Sequence, residues 1–363
     1  MDVYMRRFSY LVALNLMVPM ATYANNWSAE VVTQGLNIPW GMTYMGKNQV
    51  MVSEKSGKIG VLDLSTNEYK YIGEQKSTNV YGQGGLLDVA KSPFEPDRYY
   101  FTYSKQSGSH IETTLASVTY ESGSLGHWQE LLVTQSGSDG GRHFGSRITF
   151  DDQYLYFSVG DRGERSNGQN LNTHSGSILR VMPDGSPAPT NPFINQADAQ
   201  PEIWSFGHRN PQGLHYDAAS QKLWSIEHGP RGGDEINLIK KGNNYGWPIT
   251  SHGKEYWGPI SVGEGQEKEG ITSPSKVYIP SIAPGSLVLY RGEKHPELKG
   301  KLLAGALKLA HINVLTIEGN SIVAEERILE DLGERIRDIE PLPNGDILFS
   351  TDSGKIFRLM NHK

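Results

Sequence analysis

Residues 50–61 read Val50-Met51-Val52-Ser53, then four intervening residues, then Lys58-Ile59-Gly60-Val61. Two short runs of β-branched, aromatic and aliphatic residues on either side of a polar turn predict a pair of antiparallel strands. The same arrangement recurs five more times along the chain. The further copies are Tyr99-Tyr100-Phe101-Thr102 with Thr114-Leu115-Ala116-Ser117, Leu155-Tyr156-Phe157-Ser158 with Ser177-Ile178-Leu179-Arg180, Leu223-Trp224-Ser225-Ile226 with Glu235-Ile236-Asn237-Leu238, Lys301-Leu302-Leu303-Ala304 with His311-Ile312-Asn313-Val314, and Asp346-Ile347-Leu348-Phe349 with Lys355-Ile356-Phe357-Arg358.

Each pair is preceded by a further short strand that Gly, Pro or Asp marks at its start. These strands begin at Trp40-Gly41-Met42, Gly84-Gly85-Leu86, Phe144-Gly145-Ser146, Gln212-Gly213-Leu214, Pro284-Gly285-Ser286 and Arg337-Asp338-Ile339. Six copies of one unit favour an all-β fold, a six-bladed β-propeller of four-stranded antiparallel blades. Radial packing buries the faces of each blade, and closure of the ring removes the long exposed edges. The alternative is a sandwich of unrelated hairpins.

Ring closure is expected to involve the two ends of a single domain, residues 25–363. The stretch Trp27 to Val32 is predicted to supply the outer strand of the last blade. Asp184-Gly185 and Asn344-Gly345 are strong turn signals. Long spacings near residues 120–145, 162–176, 186–203 and 242–282 predict large loops over one face, and loops of that length are usually functional.

The composition agrees with a turn-rich body and excludes several classes of protein. The chain has 363 residues, of which 41 are glycine and 19 proline, above the usual combined share of about 12%. No cysteine is present, which excludes disulfides, a thiolate nucleophile, zinc–cysteine sites and iron–sulfur clusters. With 34 basic and 40 acidic residues the formal charge is −6, which argues against a nucleic-acid surface.

The first 24 residues have the layout of a secretory signal peptide. Arg6 and Arg7 form a basic segment, Leu11 to Met20 is a short apolar stretch, and Ala21-Thr22-Tyr23-Ala24 resembles a cleavage site, with cleavage after about Ala24. The apolar stretch is too short to span about 30 Å of hydrocarbon as a helix, although a retained membrane anchor is the alternative. We therefore expect a periplasmic protein with no membrane span in the mature chain.

Chemically reactive side chains recur at corresponding positions of the units. Six of them lie close to the start of the first strand of a unit: Gln83, His143, Arg209, Asn210, Arg335 and Arg337. Asp161, His228, Lys308 and Asp352 follow runs of their own units and are expected at the same rim. Each residue taken alone has an ordinary structural explanation, such as a satisfied histidine or a solvated arginine. Their shared position predicts a ligand pocket at the mouth of a central channel.

The types of side chain in this set indicate the chemistry. Arg209, Lys308, Arg335 and Arg337 suggest a small polyanionic ligand, since arginine pairs with carboxylates through two hydrogen bonds. If His143 meets Asp161 in space, the carboxylate would hold the imidazole in one tautomer as a base. No Gly-x-Ser-x-Gly elbow, phosphate-binding loop or nicotinamide fingerprint is present.

One segment resembles a cation site. It runs Glu227-His228-Gly229-Pro230-Arg231-Gly232-Gly233-Asp234-Glu235, and its Gly and Pro residues expose main-chain carbonyls beside two carboxylates. Calcium takes six to eight hard oxygen ligands and accepts main-chain carbonyls. A plain tight turn is the alternative, and no EF-hand loop occurs.

Taken together, several motifs resemble those of the soluble aldose sugar dehydrogenases that use pyrroloquinoline quinone (PQQ), relatives of soluble glucose dehydrogenase. They occur in order through nearly the whole mature chain: Gly82-Gln83-Gly84-Gly85-Leu86-Leu87, His143-Phe144-Gly145-Ser146-Arg147, Gly207-His208-Arg209-Asn210-Pro211-Gln212-Gly213, His228-Gly229-Pro230 with Asp234-Glu235-Ile236-Asn237, Asn244-Tyr245-Gly246-Trp247-Pro248, and Arg335-Ile336-Arg337-Asp338. The resemblance implies a six-bladed propeller, in agreement with the repeat count.

The resemblance also implies residue roles. His143 would be the base that removes the anomeric hydroxyl proton of an aldose, with Asp161 orienting it and hydride passing to the quinone. Arg209 and Asn210 would polarise the quinone oxygens. The remaining PQQ contacts would come from Gln83, Ala306, Lys308, Arg335 and Arg337, with Tyr256 stacking on the cofactor or sugar. Main-chain oxygens of Gly229 and Pro230 would bind a calcium ion beside the cofactor, and Glu235 and Tyr245 match a second calcium site.

One departure concerns substrate preference. Soluble glucose dehydrogenase has an acid immediately before the base, whereas this chain has Arg142, which favours the broader aldose group over glucose. The partners implied are an aldose and an external electron acceptor, a quinone or a redox protein, for a monomer or homodimer. Two other functions fit the sequence, a calcium-dependent lactonase-type hydrolase and a non-catalytic binding propeller.

Overall fold

The computed structural model describes residues 26–362, which form six antiparallel sheets arranged in a ring. The predicted signal peptide, residues 1–24, lies outside the described residues. In chain order the strands are β1 (Trp27–Gln34), β2 (Pro39–Gly46), β3 (Gln49–Glu54), β4 (Lys58–Asp63), β5 (Glu68–Glu74), β6 (Leu86–Lys91), β7 (Arg98–Ser107), β8 (His110–Glu121), β9 (Ser124–Leu125), β10 (Gln129–Val133), β11 (Ile148–Phe150), β12 (Leu155–Val159), β13 (Ser177–Val181), β14 (Ile203–Phe206), β15 (Pro211–Asp217), β16 (Lys222–Glu227), β17 (Asp234–Ile239), β18 (Lys276–Tyr278), β19 (Pro284–Leu289), β20 (Leu302–Ala306), β21 (Ile312–Glu318), β22 (Ser321–Ile328), β23 (Ile336–Pro341), β24 (Ile347–Thr351) and β25 (Lys355–Asn361). Two short 3-10 helices, Arg165–Gln169 and Glu330–Leu332, are the only helices in this range.

The six sheets are the blades of a β-propeller, as predicted. Blades 1, 3, 4 and 5 each contain four consecutive strands, β2–β5, β11–β14, β15–β18 and β19–β22. Blade 2 contains β6, β7, β8 and β10, with the short β9 added beside β8. Blade 6 contains β23, β24, β25 and β1. The innermost strands β2, β6, β11, β15, β19 and β23 contact one another in a closed ring.

The ring is closed by β1, the first strand of the described residues, which confirms the prediction for Trp27 to Val32. Strand β1 pairs antiparallel with β25, with Trp27 opposite Asn361 and Val31 opposite Phe357. The last blade therefore combines both ends of the described chain, and the main-chain groups of β25 that would form an open edge are hydrogen-bonded.

The core lies between neighbouring blades. The second strands are mostly buried, as in β12, where all five residues are buried, because a blade packs against a neighbour on each face. Met51 and Ile59 of blade 1 pack with Tyr99 and Phe101 of blade 2 in one such cluster. The outermost strands face solvent, and β22 is exposed at most of its positions.

A single arginine joins all the blades at the axis. Arg147, immediately before β11, is buried, and its guanidinium contacts one group from each of the other five blades. These groups are the carboxylates of Asp88 and Asp338 at 2.8 Å, the carbonyls of Gln212 and Gly285 at 3.1 and 2.9 Å, and the ring of Trp40, whose centroid is 4.4 Å away. The axis is therefore closed by a hydrogen-bonded cation rather than left open.

Within residues 26–362, no helix has the length and apolar character needed to cross a membrane.

Candidate active site

A cavity of about 280 Å³ lies on the propeller axis, at the end where the innermost strands begin. All six blades contribute a residue that lies one to four positions before an innermost strand. These residues are Ile38, Gln83, Phe144, Asn210, Ala283 and Arg335. Four of the six side chains predicted to share this position line the cavity, namely Gln83, Asn210, Arg335 and Arg337.

The cavity is cationic and has two aromatic walls. Among its described lining residues, Lys55, Arg335 and Arg337 face one carboxylate, Asp352. Asp352 accepts hydrogen bonds from Arg337 Nε at 2.9 Å and Arg335 Nε at 2.8 Å, so it orders both guanidinium groups. Burial, followed by the charge of Arg337, lowers the pKa of Lys55. Trp40 and Phe144 supply flat apolar surface, and the combination suits a planar anion.

His143 and Asp161 meet beside this cavity, as the sequence predicted they could. His143 Nδ1 lies 2.5 Å from Asp161 Oδ1, and the same oxygen accepts the Gly163 N–H at 2.7 Å. The buried carboxylate therefore accepts a hydrogen bond from the Nδ1–H, which leaves Nε2 unprotonated with a free lone pair.

The ionisation of the pair suits a base. Burial lowers the pKa of His143, and the opposing effect of Asp161 does not cancel the decrease. Burial alone would raise the pKa of Asp161, but the hydrogen bonds from His143 and Gly163 lower it below its usual value. At neutral pH the imidazole is neutral and the carboxylate ionised, the state in which His143 can accept a proton.

Arg209 lies in the same site, joined to Asp161 through the main chain. The Asp161 N–H donates to the Arg209 carbonyl at 2.8 Å. The Arg209 side chain donates to the Gly229 carbonyl at 2.8 Å, and its guanidinium carbon lies 5.2 Å from the centre of the Trp247 ring. Its buried Nε has no hydrogen-bond partner among residues 26–362. One donor of the cation is therefore left for a ligand.

A second, small cavity adjoins the first through His228, which lines both. The four residues predicted to bind calcium all line this cavity, namely Gly229, Pro230, Glu235 and Tyr245. The hydroxyl of Tyr245 donates to the Leu238 carbonyl at 2.7 Å. Tyr245 would therefore contribute its main-chain oxygen rather than its phenol to a bound cation.

The second cavity brings two carboxylates close together. Glu235 lies opposite Glu227 in the strand register, and burial followed by the charge of Glu227 raises the pKa of Glu235 well above its usual value. The buried Oδ1 of Asn237 has no partner within the described part of the chain. Oxygen atoms without partners beside two carboxylates fit a hard cation such as calcium. No three His, Asp or Glu side chains in residues 26–362 form a metal-binding group, so main-chain oxygens would have to complete the coordination.

Four predicted cofactor contacts lie outside the axial cavity lining; Arg209 lines the second cavity, and the other three line neither. Lys308 is exposed, and its main-chain N–H donates to the Ile282 carbonyl at 2.9 Å. Ala306 is fully buried in β20 and packs in an apolar cluster. Tyr256 is 65% exposed on the long loop between β17 and β18.

Several residues of the site were not assigned from the sequence. Lys55 follows β3 in blade 1, the position that Asp161, His228, Lys308 and Asp352 occupy in other blades, so its position could have identified it. Trp247, whose indole N–H donates a hydrogen bond to Asp161, lies on a long loop outside the repeat. Glu227 accepts the Arg209 N–H at 2.6 Å and contacts His208 Nδ1 at 2.9 Å, and nothing in the strand pattern distinguishes it from a structural acid.

Comparison with known proteins identifies the family. The sequence profile of the glucose/sorbosone dehydrogenase family matches residues 36–358. The chain belongs to this family. Membership of the glucose/sorbosone dehydrogenase family places it among the sugar oxidoreductases and agrees with the resemblance seen in the sequence motifs.

Three relatives are similar to this chain over most of its length. Aldose sugar dehydrogenase YliI of Escherichia coli (strain K12) is 32% identical over 342 residues, which cover 92% of this chain and 92% of that protein. The solved apo-form of the soluble aldose sugar dehydrogenase from Escherichia coli superposes with a TM-score of 0.88 at 30% identity, over 92% of this chain and 99% of that one. The PQQ-bound aldose sugar dehydrogenase of Streptomyces coelicolor superposes with a TM-score of 0.77 at 27% identity, over 93% and 98% of the two chains.

Proposed function

We propose that this protein is a periplasmic, calcium- and PQQ-dependent aldose sugar dehydrogenase, which oxidises the anomeric carbon of aldoses to lactones and passes electrons to an external acceptor. The observation that carries the proposal is the contact of His143 Nδ1 with Asp161 Oδ1 at 2.5 Å beside a cation-lined cavity. A base held in one tautomer next to a site for a planar anion is the arrangement that quinone-dependent alcohol oxidation needs. The PQQ-bound form of the Streptomyces relative supports the choice of cofactor.

The residues of the axial cavity fit PQQ, a flat molecule with three carboxylates. Arg335, Arg337 and Gln83 would bind its carboxylates and ring oxygens, while Trp40 and Phe144 would contact its faces. Arg209, with its unpartnered Nε, and Asn210 would hydrogen-bond the quinone oxygens. The contacts proposed for Lys308, Ala306 and Tyr256 would complete the site from its edge.

The residues of the second cavity fit calcium. Gly229 and Pro230 would offer main-chain oxygens, and Glu235 its carboxylate, with the main-chain oxygen of Tyr245 beside them. When bound, the quinone would accept the hydride from the sugar's anomeric carbon, with calcium acting on it as a Lewis acid.

Residues of the chain would accept the substrate's proton and stabilise the resulting charge. Nε2 of His143 would take the proton of the anomeric hydroxyl while the C1–H bond breaks and the C1=O bond of the lactone forms. Asp161 would stay ionised and stabilise the imidazolium that results, since its pKa is held below the usual value. His228 would not compete for that proton. Burial lowers its pKa to about 3, and its Nε2 lies 2.7 Å from the Pro284 carbonyl.

One titration experiment tests the proposal. Purified apo-protein is titrated with PQQ and calcium and then assayed for sugar-dependent dye reduction with several aldoses, glucose among them. The proposal requires saturable quinone binding and aldose-dependent reduction. Quinone binding without reduction, or no binding, would refute it.

The same assay separates the alternatives. A His143→Ala variant should bind the quinone as the wild type does and lose roughly 10²–10⁴-fold in turnover, the contribution of a positioned base. A lactonase-type hydrolase would instead hydrolyse lactones without quinone. A non-catalytic binding propeller would keep its function after the substitution at His143.

A further inference from the structure

Arg162, directly after Asp161, is a buried arginine without a carboxylate partner. Its side chain is among the largest fully buried ones in the molecule, with the residue 2% exposed. In the described structure its Nε has no hydrogen-bond partner, and burial lowers its pKa to about 10 despite the opposing charges of Glu112 and Asp161. A buried cation without an ion pair is costly. Its retention beside the base points to a function other than stability.

Within the described residues, the guanidinium of Arg162 donates only to main-chain carbonyls. Two of these, the carbonyls of Gly140 and Arg142, lie in the segment directly before His143. Nη1 donates to the Arg142 carbonyl, and Nη2 donates to the Gly140 carbonyl at 2.6 Å and the Ile111 carbonyl at 2.9 Å. The segment that leads into the base is therefore tied to the segment that carries Asp161.

The peptide unit between Arg142 and His143 is held at both of its polar atoms. Its carbonyl accepts from Arg162, and its N–H donates to Gln83 Oε1 at 2.7 Å. A peptide group is planar, so fixing both atoms fixes its plane. The direction of the Cα–Cβ bond of His143 depends on this plane.

The backbone at His143 needs such restraint. Its φ is +57°, in the left-handed region, which is unfavourable for a residue with a side chain. A non-glycine residue keeps this conformation only where its surroundings enforce it. Gly160 allows the close approach, because a Cβ atom there would lie 2.3 Å from the His143 carbonyl oxygen.

Arg162 also supports the neighbouring wall of the cavity. Its guanidinium carbon lies 3.5 Å from the centre of the Phe144 ring, and Phe144 lines the axial cavity. One side chain thus holds the residues on either side of the imidazole.

We propose that Arg162 is a positioning residue, which sets the orientation of His143 by fixing the Arg142–His143 peptide and the Phe144 ring. The inference rests on the proposed function, since it takes His143 as the base. Arg162 is not part of the axial cavity lining, and its effect on proton transfer would pass through His143.

The test compares three variants. Arg162→Met removes the donors and keeps most of the apolar stem. Arg162→Lys keeps a cation that has one nitrogen instead of three. Arg180→Met is the matched control: Arg180 is a buried arginine of β13 in the same blade, with its guanidinium carbon 4.0 Å from the centre of the Trp204 ring and its Nε bonded to Asn191. It does not touch the segment around His143.

The first measurement uses the apo-protein. Nitrogen-15 NMR of the histidine rings, with the His143 signal assigned by its loss in His143→Ala, reports which ring nitrogen carries the proton. The wild type and Arg180→Met should show the Nδ1–H tautomer. Arg162→Met should show a mixture of tautomers, and Arg162→Lys an intermediate mixture. A wild-type tautomer in the Arg162→Lys or Arg162→Met protein would overturn the inference.

The second measurement is turnover with bound quinone. A base displaced by a fraction of an ångström to an ångström should lower kcat roughly 10²-fold in Arg162→Met, with the quinone dissociation constant close to that of the wild type. Equal losses of kcat in Arg162→Met and Arg180→Met would reduce Arg162 to a structural role and overturn the inference. If the wild type oxidises no sugar, the proposed function fails, while the tautomer comparison still decides the role of Arg162.

Discussion

The Trp247 indole Nε1 donates a hydrogen bond of 2.8 Å to Asp161 Oδ2, the carboxylate oxygen that does not face His143. Trp247 belongs to the long loop between β17 and β18 of blade 4, whereas Asp161 lies between β12 and β13 of blade 3. Both oxygens of the carboxylate are therefore fixed, one by the base and one by the neighbouring blade. The orientation of the base depends on the interface between two blades as well as on its own strand.

Trp247→Phe should lower kcat about tenfold or more, because it removes one hydrogen bond to a buried carboxylate, an interaction worth about 1.5–3 kcal/mol. The ring and its packing remain. The measurement is kcat with saturating sugar and quinone. Trp204→Phe is the matched control, since the buried Nε1 of Trp204 has no partner within residues 26–362, and it should leave kcat unchanged. Equal kcat values for the two variants would show that the indole does not position Asp161.

The acid limb of the pH–rate profile should lie below pH 6.5. His143 must be neutral to accept a proton, and it becomes protonated as the pH falls through its pKa. Burial lowers that pKa from an ordinary value of about 6.5. The midpoint of the acid limb of kcat/KM should therefore lie below pH 6.5. An acid limb above that value would contradict the assignment of His143 as the base.

Asp161→Asn should shift this limb further to the acid side and lower its plateau. The carboxylate raises the pKa of His143 through its hydrogen bond and its charge, so its removal lowers the pKa. The amide also permits the other tautomer, with the proton on Nε2, which cannot accept. The same kcat/KM profile measures both effects, and an unshifted limb with a normal plateau would argue against the pairing.

The sequence predicted the parts of the fold that burial controls. The three inner strands of each blade carry buried apolar residues because they pack between blades, so most of their runs were recognisable. The outermost strands were missed except for β1. Strand β22 shows why, since it is mostly exposed and contains Glu325, Glu326 and Arg327 in succession, which is no apolar run.

The residues of the candidate site also fall into those that the repeat could identify and those that it could not. Residues at the starts of innermost strands, such as Asn210 and Arg337, could be found because a repeat places equivalent positions at one rim. Lys55 was missed although it follows β3 as Asp352 follows β24. Trp247 could not be found from the repeat, because a long loop has no fixed position relative to the strands.

Calcium should stabilise the protein through Glu235. At a hundredfold excess over its dissociation constant, a ligand that binds only the folded state contributes about 2.7 kcal/mol, so the thermal midpoint should be higher in calcium than in chelator. Glu235→Gln should lose most of this response. The measurement is thermal unfolding of the apo-protein in both conditions.

The same variant has a second expected effect in chelator. The folded-state pKa of Glu235 is raised by burial and by Glu227, so ionisation of Glu235 destabilises the fold above the carboxyl's unfolded-state pKa. Glu235→Gln should therefore be more stable than the wild type at pH 7–8 without calcium. Glu293→Gln, at an exposed surface position, should respond to calcium as the wild type does. A full calcium response in Glu235→Gln would exclude this carboxylate as a ligand.

Arg147→Met should cost about 3–5 kcal/mol of unfolding free energy, because it leaves Asp88 and Asp338 buried without their shared cation.

The loss of stability in Arg147→Met has a predictable pH dependence. Burial raises the pKa of both carboxyl groups and Arg147 opposes the rise, so the variant raises both values further. A folded-state pKa above the unfolded one means that stability falls as the pH rises, and the loss should be larger at pH 8 than at pH 5. Urea unfolding at the two pH values measures it, with Lys268→Met as control, since its exposed pair with Glu264 is worth less than about 1 kcal/mol. A loss of similar size in Arg147→Met and Lys268→Met would mean that the blades hold together at the axis without this arginine.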